Sequence, residues 1–221
     1  MTPKLQKETL QFLTDLKENN DREWFNRNKD KYITANENFI QLVEALINEI
    51  SLFDKSVRGL EAKNTIFRIY RDTRFSKDKS PYKTNFGAAF LLGKEKGPGI
   101  AGYYFHLQPG NSFLAGGVHN PEPGEIKAVR RQISSNAEEF LQIINNKDFT
   151  NKLEIKGEKL AKVPQGFDKS DPMAEFLKYK ELMVCHDIGD DIAISDDFVN
   201  YSSAVFEAML PFNTFLNTVL M

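Results

Sequence analysis

Apolar residues recur at helical spacing through the first fifty residues and then switch to alternation. Leu5, Thr9, Phe12, Leu13 and Leu16 share one helical face, and Thr2-Pro3 reads as a cap followed by a first-turn proline. Asn19-Asn20 breaks this helix and Asp21 caps the next. An apolar stripe from Trp24 and Phe25 through Tyr32, Phe39 and Val43 to Ile50 predicts one long helix from Arg22 to about Ser51. At 1.5 Å per residue it would run about 45 Å, so a bend is expected near residues 34–38.

After Gly59 the pattern becomes strand-like. Residues 65–71 are mostly β-branched or aromatic, with few helix formers and no Gly or Pro, which predicts a strand. Alternation puts Ile66, Arg68 and Tyr70 on one face and Thr65, Phe67, Ile69 and Arg71 on the other. Further strands are predicted over 86–92, 100–108 and 112–118, joined by a Gly-rich loop over 93–99 and a turn at Pro109-Gly110-Asn111. Helices follow over 125–134 and, capped by Asn136, to about Asn146, with a helical turn over 148–153. A weak strand over 159–163, a helix from Pro172 to about Tyr179 and a last strand over 181–187 come next. Ser195 or Asp196 caps a terminal helix that Pro211 is expected to kink or end. Sequential strands with short turns argue an α+β fold: an antiparallel sheet of about four to six strands, a long N-terminal helix and a C-terminal helical part.

Composition narrows the class. With 221 residues and 41% hydrophobic content, a single domain over 1–221 is expected. The lone Cys185 rules out an intramolecular disulfide and a cysteine-based zinc cluster. No apolar run approaches the roughly 18 residues that span a bilayer, and MTPKLQKETLQF lacks the apolar core of a signal peptide. A cytoplasmic protein with no membrane partner is the expectation. There is no phosphate-loop or dinucleotide fingerprint, so no cofactor is implied.

Charge changes the picture at one place. Between Thr65 and Asn85 six basic side chains face Asp72 and Asp78, a local balance of +4 in a chain of net −2. Arg68, Arg71, Arg74 and Lys83 are therefore candidates for an anion site, since the guanidinium fork suits phosphate or carboxylate. An ion-pair network with Asp72, Asp78 or a distant Glu is the bland alternative. A pI near 6.0 argues against a generic nucleic-acid coat, although a local nucleic-acid or protein contact surface stays open.

Three blocks carry a resemblance. They are Asn20-Asp21-Arg22-Glu23-Trp24-Phe25 with Tyr32, the run from Arg68 to Lys83, and Tyr103-Tyr104 to Gly116-Gly117 followed by Pro121 and Arg130. On these the chain resembles a widespread, mainly bacterial family of uncharacterised proteins, domain of unknown function 2461. The resemblance spans nearly the whole chain. It implies no established activity, but it makes the basic run look like a family hallmark.

Other chemistry is weighed against simpler readings. Gly116 and Gly117 would let a ligand approach the backbone, with Tyr82 as a further wall and Arg130 as a further donor if this strand lies beside 65–71; a bulge or turn explains the glycines more simply. His119 has the titration range of a general base but reads as a structural strand-end residue. His106 has no obvious partner in the sequence. His186-Asp187 with Asp190 and Asp191 supplies too few assured ligands for a metal and reads as a polar turn, so no metal is expected. Cys185 reads as an inert buried thiol, and Trp24 as core. Function is left as unknown, with an anionic small ligand held by Arg68, Arg71, Arg74, Lys83, Tyr82, Gly116, Gly117 and Arg130 as the leading expectation. No catalytic residue is assigned and enzyme activity is left open; arginines would stabilise developing negative charge.

Overall fold

A computed structural model describes residues 3–91 and 99–221 of the chain. Along them run α1 (Lys7–Glu18), α2 (Arg22–Arg27), α3 (Lys29–Phe53), a single 3-10 turn (Lys55–Val57) and α4 (Ala62–Thr65). Strands β1 (Phe86–Phe90), β2 (Gly102–Leu107) and β3 (Ser112–Val118) follow. Then come α5 (Pro123–Ser135), α6 (Ala137–Ile144), α7 (Lys147–Lys152), β4 (Glu154–Lys156), α8 (Ala174–Leu177), β5 (Leu182–Ile188), α9 (Asp190–Ala193) and α10 (Phe198–Asn217). The fold is α+β, with a five-stranded antiparallel sheet in the order β1-β2-β3-β5-β4. In the outer pair, Glu154 faces Cys185, Ile155 faces Val184 and Lys156 faces Met183.

Several expected elements are displaced, each for a local reason. The predicted N-cap Thr2 lies outside the described residues. Helix α1 begins at Lys7, and the buried Asn38 of α3 serves its N-terminus instead: Asn38 Oδ1 accepts from Gln6 N at 2.9 Å and Thr9 Oγ1 at 2.8 Å, while Nδ2 donates to Lys4 O at 2.9 Å. The helix expected from Arg22 to about Ser51 is broken at Asn28, and its second part runs uninterrupted over Lys29–Phe53. At Asn28 the backbone leaves helical geometry (φ −109°, ψ 21°), and the side-chain amide competes for Trp24 O at 2.9 Å.

The strand expected over 65–71 is not formed. Helix α4 ends at Thr65, and isolated bridges join Ile66 to Ala88 and Tyr70 to Tyr82. The bridged residues lie four positions apart on one arm and six on the other, so the ladder slips register and cannot propagate. Ile69 is buried at 2% exposure whereas Arg68 is exposed, so the face Arg68 shares with Tyr70 is the open one. Likewise no strand forms over 159–163. Lys159 makes a single bridge to Tyr179, and the short strand is β4. The Gly-rich loop over 93–99 falls, except for Gly99, outside the described residues. Pro211 neither ends nor interrupts α10; the acceptor it frees belongs to Glu207, which like Pro211 is exposed to water.

Among the described residues the chain forms two compact units. One is drawn from residues 3–91, Tyr104–Leu114 and Asp187–Ser203, the other from residues 99–103, Ala115–His186 and Ala204–Met221. The first is packed by aromatic rings: Phe39 meets Phe86 at 5.2 Å and Phe105 at 5.5 Å between centroids, and Phe105 meets Phe198 at 5.4 Å, all four side chains at 0–1% exposure. In the second, Phe140 gathers Phe176 at 5.1 Å and Phe215 at 5.5 Å. There Asn217 pairs with the Ala101 backbone in both directions, at 2.8 and 2.9 Å.

Candidate functional site

The site is built in the first unit, where the α1–α2 corner meets the basic hairpin. At the corner Asp21 caps α2, accepting from Trp24 N at 2.8 Å. Asn20 then projects an amide that pairs with Tyr82 as a strand edge would: Nδ2 donates to Tyr82 O at 2.9 Å and Oδ1 accepts from Tyr82 N at 3.1 Å. Phe25 stacks on the Tyr82 ring at 3.9 Å with 12° between planes. Amide and ring together fasten the corner to the hairpin.

The hairpin's two arms are tied by Phe67 N to Gly87 O at 2.9 Å, Lys83 N to Ile69 O at 2.7 Å and Arg71 N to Pro81 O at 2.9 Å. Beyond the last tie the loop is closed by polar side chains. Arg71 donates to Asp78, to Ser80 O at 3.3 Å and to Ser76 Oγ at 3.4 Å. Asp78 also accepts from Ser80 N at 2.9 Å and Ser80 Oγ at 2.5 Å. These Ser80 donors, and then Arg71, hold the Asp78 carboxyl down to about 2. Arg74 grips Asp72 with two nitrogens, at 3.0 and 2.7 Å, and lowers its pKa, with a smaller contribution from the charge of Arg68. Lys79 Nζ donates to Thr73 O at 2.9 Å.

Between corner and hairpin opens a cleft of about 840 Å³. Arg22, Arg71 and Lys79 supply its cations, Asn20 and Asn26 its amides, and Tyr70 with Tyr82 its aromatic wall. Among the described residues Asp21 is the single carboxylate in the lining, and it is engaged as the cap of α2. Burial raises the pKa of Tyr82, and Tyr70 and Asp21 add to that rise.

Of the residues expected to form an anion site, Arg71 and Tyr82 line this cleft. Arg68 is exposed on the hairpin, Arg74 is paired with Asp72, and Lys83 Nζ rests 5.3 Å from the Phe67 ring centroid. Gly116, Gly117 and Arg130 belong to the second unit, and each has local partners there. A Cβ on Gly116 would approach Met209 Sδ to 2.9 Å, and one on Gly117 would approach Leu182 O to 2.2 Å. Arg130 Nη2 donates to Tyr179 O at 2.7 Å, and burial lowers the pKa of its guanidinium. In the same unit His119 Nδ1 meets Glu181 Oε2 at 2.7 Å, and the His186 Nδ1–H donates to Lys152 O at 2.6 Å.

His106, in the first unit, does have partners. Gln108 Oε1 only accepts, so the His106 Nε2–H donates to it at 3.0 Å, which leaves Nδ1 to accept from Tyr104 Oη at 3.1 Å. Phe113 stacks on the imidazole at 4.6 Å. Burial lowers the His106 pKa and pushes Tyr104 up to about 12. Asp190 accepts from Gly110 N at 3.0 Å through both oxygens. Among the described residues no group of three or more His, Cys, Asp or Glu side chains is placed to hold a metal ion, and no helix is long and apolar enough to cross a membrane.

Asn20, Arg22 and Asn26 line the cleft without having been candidates on charge, and Lys79, one of the six bases of the basic run, lines it too. The signal for the first two was the Asn20–Phe25 block, which the structure joins to the Arg68–Lys83 block at Tyr82. A model of a conserved hypothetical protein family, DUF2461, matches residues 8–215. The chain belongs to that family. DUF2461 is a family of unknown function, so membership assigns no chemistry to the cleft. No curated protein and no solved structure matches the chain.

Proposed function

We propose that the cleft binds a small anionic ligand bearing a phosphate or carboxylate, held by Arg22, Arg71 and Lys79. The observation that carries this reading is that three basic residues line one cleft whose single carboxylate, among the described residues, already caps a helix. Arg22 adds weight. It occupies the first position of α2, where the helix dipole favours acids, so helix formation does not explain a base there. Arg71 is held by Asp78, Ser80 O and Ser76 Oγ, which orients its fork, and Lys79 Nζ donates to Thr73 O, so Arg22 is the most available donor.

The test is thermal melting of the full chain with inorganic phosphate, sulfate and citrate, for wild type, Arg22→Ala and Lys79→Ala. A ligand present at 100 times its Kd stabilises by about 2.7 kcal/mol, which is easily read as a rise in Tm. The expected result is a rise in wild type that shrinks in both variants. A flat response of the wild-type protein to all three anions would sink the proposal.

A second reading is favoured by Phe75, which stands 95% exposed at the loop tip with the Arg74 guanidinium 5.8 Å from its ring centroid. A protruding ring beside basic side chains suits contact with an anionic macromolecule. That contact would weaken steeply with salt and would be lost in Phe75→Ala.

A further inference from the structure

The ring of Tyr70 narrows the ligand, and this inference rests on the anion-binding reading of the cleft. Tyr70 lines the cleft and is 51% exposed. It is the outermost member of an aromatic group whose inner members are buried: Tyr82 at 4% exposure, 5.4 Å away, and Phe25 at 2%, 6.1 Å away. The inner pair is itself stacked, and Asn20 fixes the Tyr82 backbone from both sides. An open aromatic face with such a backing loses little freedom when a flat group is laid on it. The cleft is also larger than a bare phosphate requires: about 840 Å³ falls within the roughly 300–1,000 Å³ of small-molecule sites.

We infer that the ligand joins its anionic group to a planar ring, the anion meeting Arg22, Arg71 and Lys79 while the ring stacks on Tyr70. The chemical class is a nucleoside phosphate or another aryl-bearing phosphate. The same chemistry reaches the cleft either as a free nucleotide or as a base with its phosphate in a single strand.

The test is calorimetric titration of the full chain with AMP, ribose 5-phosphate and a single-stranded hexanucleotide, using wild type, Tyr70→Ala and Tyr70→Phe. Stacking on one ring should make AMP bind about tenfold tighter than ribose 5-phosphate. That preference should disappear in Tyr70→Ala and persist in Tyr70→Phe. A hexanucleotide that binds tighter than AMP, with a steep salt dependence, assigns the strand as the source; a weaker one assigns the free nucleotide, and either result upholds the ring contact. Equal wild-type affinity for AMP and ribose 5-phosphate overturns the inference and leaves the anion reading standing. Failure of both, and of inorganic phosphate, to bind overturns the two together.

Discussion

The glycine strand β3 and the basic loop after Arg71 were expected to be walls of one anion site, yet they are built on opposite principles. In β3 the glycines are demanded by neighbours. Gly117 has φ +107°, and a Cβ there would come within 2.2 Å of Leu182 O. In the loop nothing is tightly packed, and shape is set by polar cross-links from Arg71, Asp78 and Ser80. An absent side chain can signal either a ligand or a close neighbour, and only the packing says which. A surplus of charge can be internally paired or available, and the partners decide residue by residue. By that measure Gly116 and Gly117 are explained by their own unit, whereas Arg22 and Lys79 meet no carboxylate among the described residues.

The comparison breaks most readily at Gly117. Replacing it by Ala adds a Cβ into a backbone carbonyl at a φ that L-residues avoid, and the expected loss is about 3 kcal/mol or more. Urea unfolding measures it. A loss below about 1 kcal/mol would mean that β3 can move aside, and would reopen it as a ligand wall.

Asn20→Ala comes next. It removes both bonds to the Tyr82 backbone and leaves a buried donor and acceptor unmet, for an expected loss of about 2 kcal/mol. The same unfolding experiment checks it, and a wild-type midpoint would show that the corner is not fastened through this amide. Arg71→Ala should cost about 1 kcal/mol, because its side chain is only 25% exposed and holds three loop acceptors. The clearer readout is faster proteolysis within residues 72–80. Acid should imitate it. The Asp78 carboxyl is depressed in the folded chain, so its contribution is complete above its ordinary value of 3.8 and is lost as pH falls through about 2. Amide exchange of Ser80 followed through that window would test this, and constant protection down to pH 2 would contradict it.

Much of the fold was legible in the sequence because it depends on local pattern. The run from Phe86 to Val118, with turn residues at Pro109-Gly110-Asn111, announces sequential antiparallel strands, and the stripe from Phe39 to Ile50 announces α3. What stayed hidden depends on partners distant in the chain. Asn28 ends α2 through a side-chain bond to Trp24 O that propensity does not foresee. The 66–70 segment has strand composition but meets a partner arm two residues too long. The placement of β5 between β3 and β4 follows from no local signal. The site was legible only in half: charge density pointed to the loop, while Asn20 and Arg22 come from a corner roughly fifty residues earlier and declare themselves only through Tyr82.

The smallest effect sharpens the comparison within the loop itself. Arg74 makes a two-nitrogen contact with Asp72 that looks stronger on paper than anything Arg71 does. Yet Arg74 is 77% exposed, and Asp72 keeps the Arg74 backbone N–H at 3.2 Å whatever the side chain. Water screens the pair and side-chain freedom is lost in forming it, so Arg74→Ala should shift the urea midpoint least of the four variants. Urea unfolding beside Arg71→Ala settles the order. If Arg74→Ala proves the costlier of the two, the Arg74–Asp72 pair and not the Arg71–Asp78 cross-link closes the loop. The cleft's cationic wall would then depend on a residue outside it.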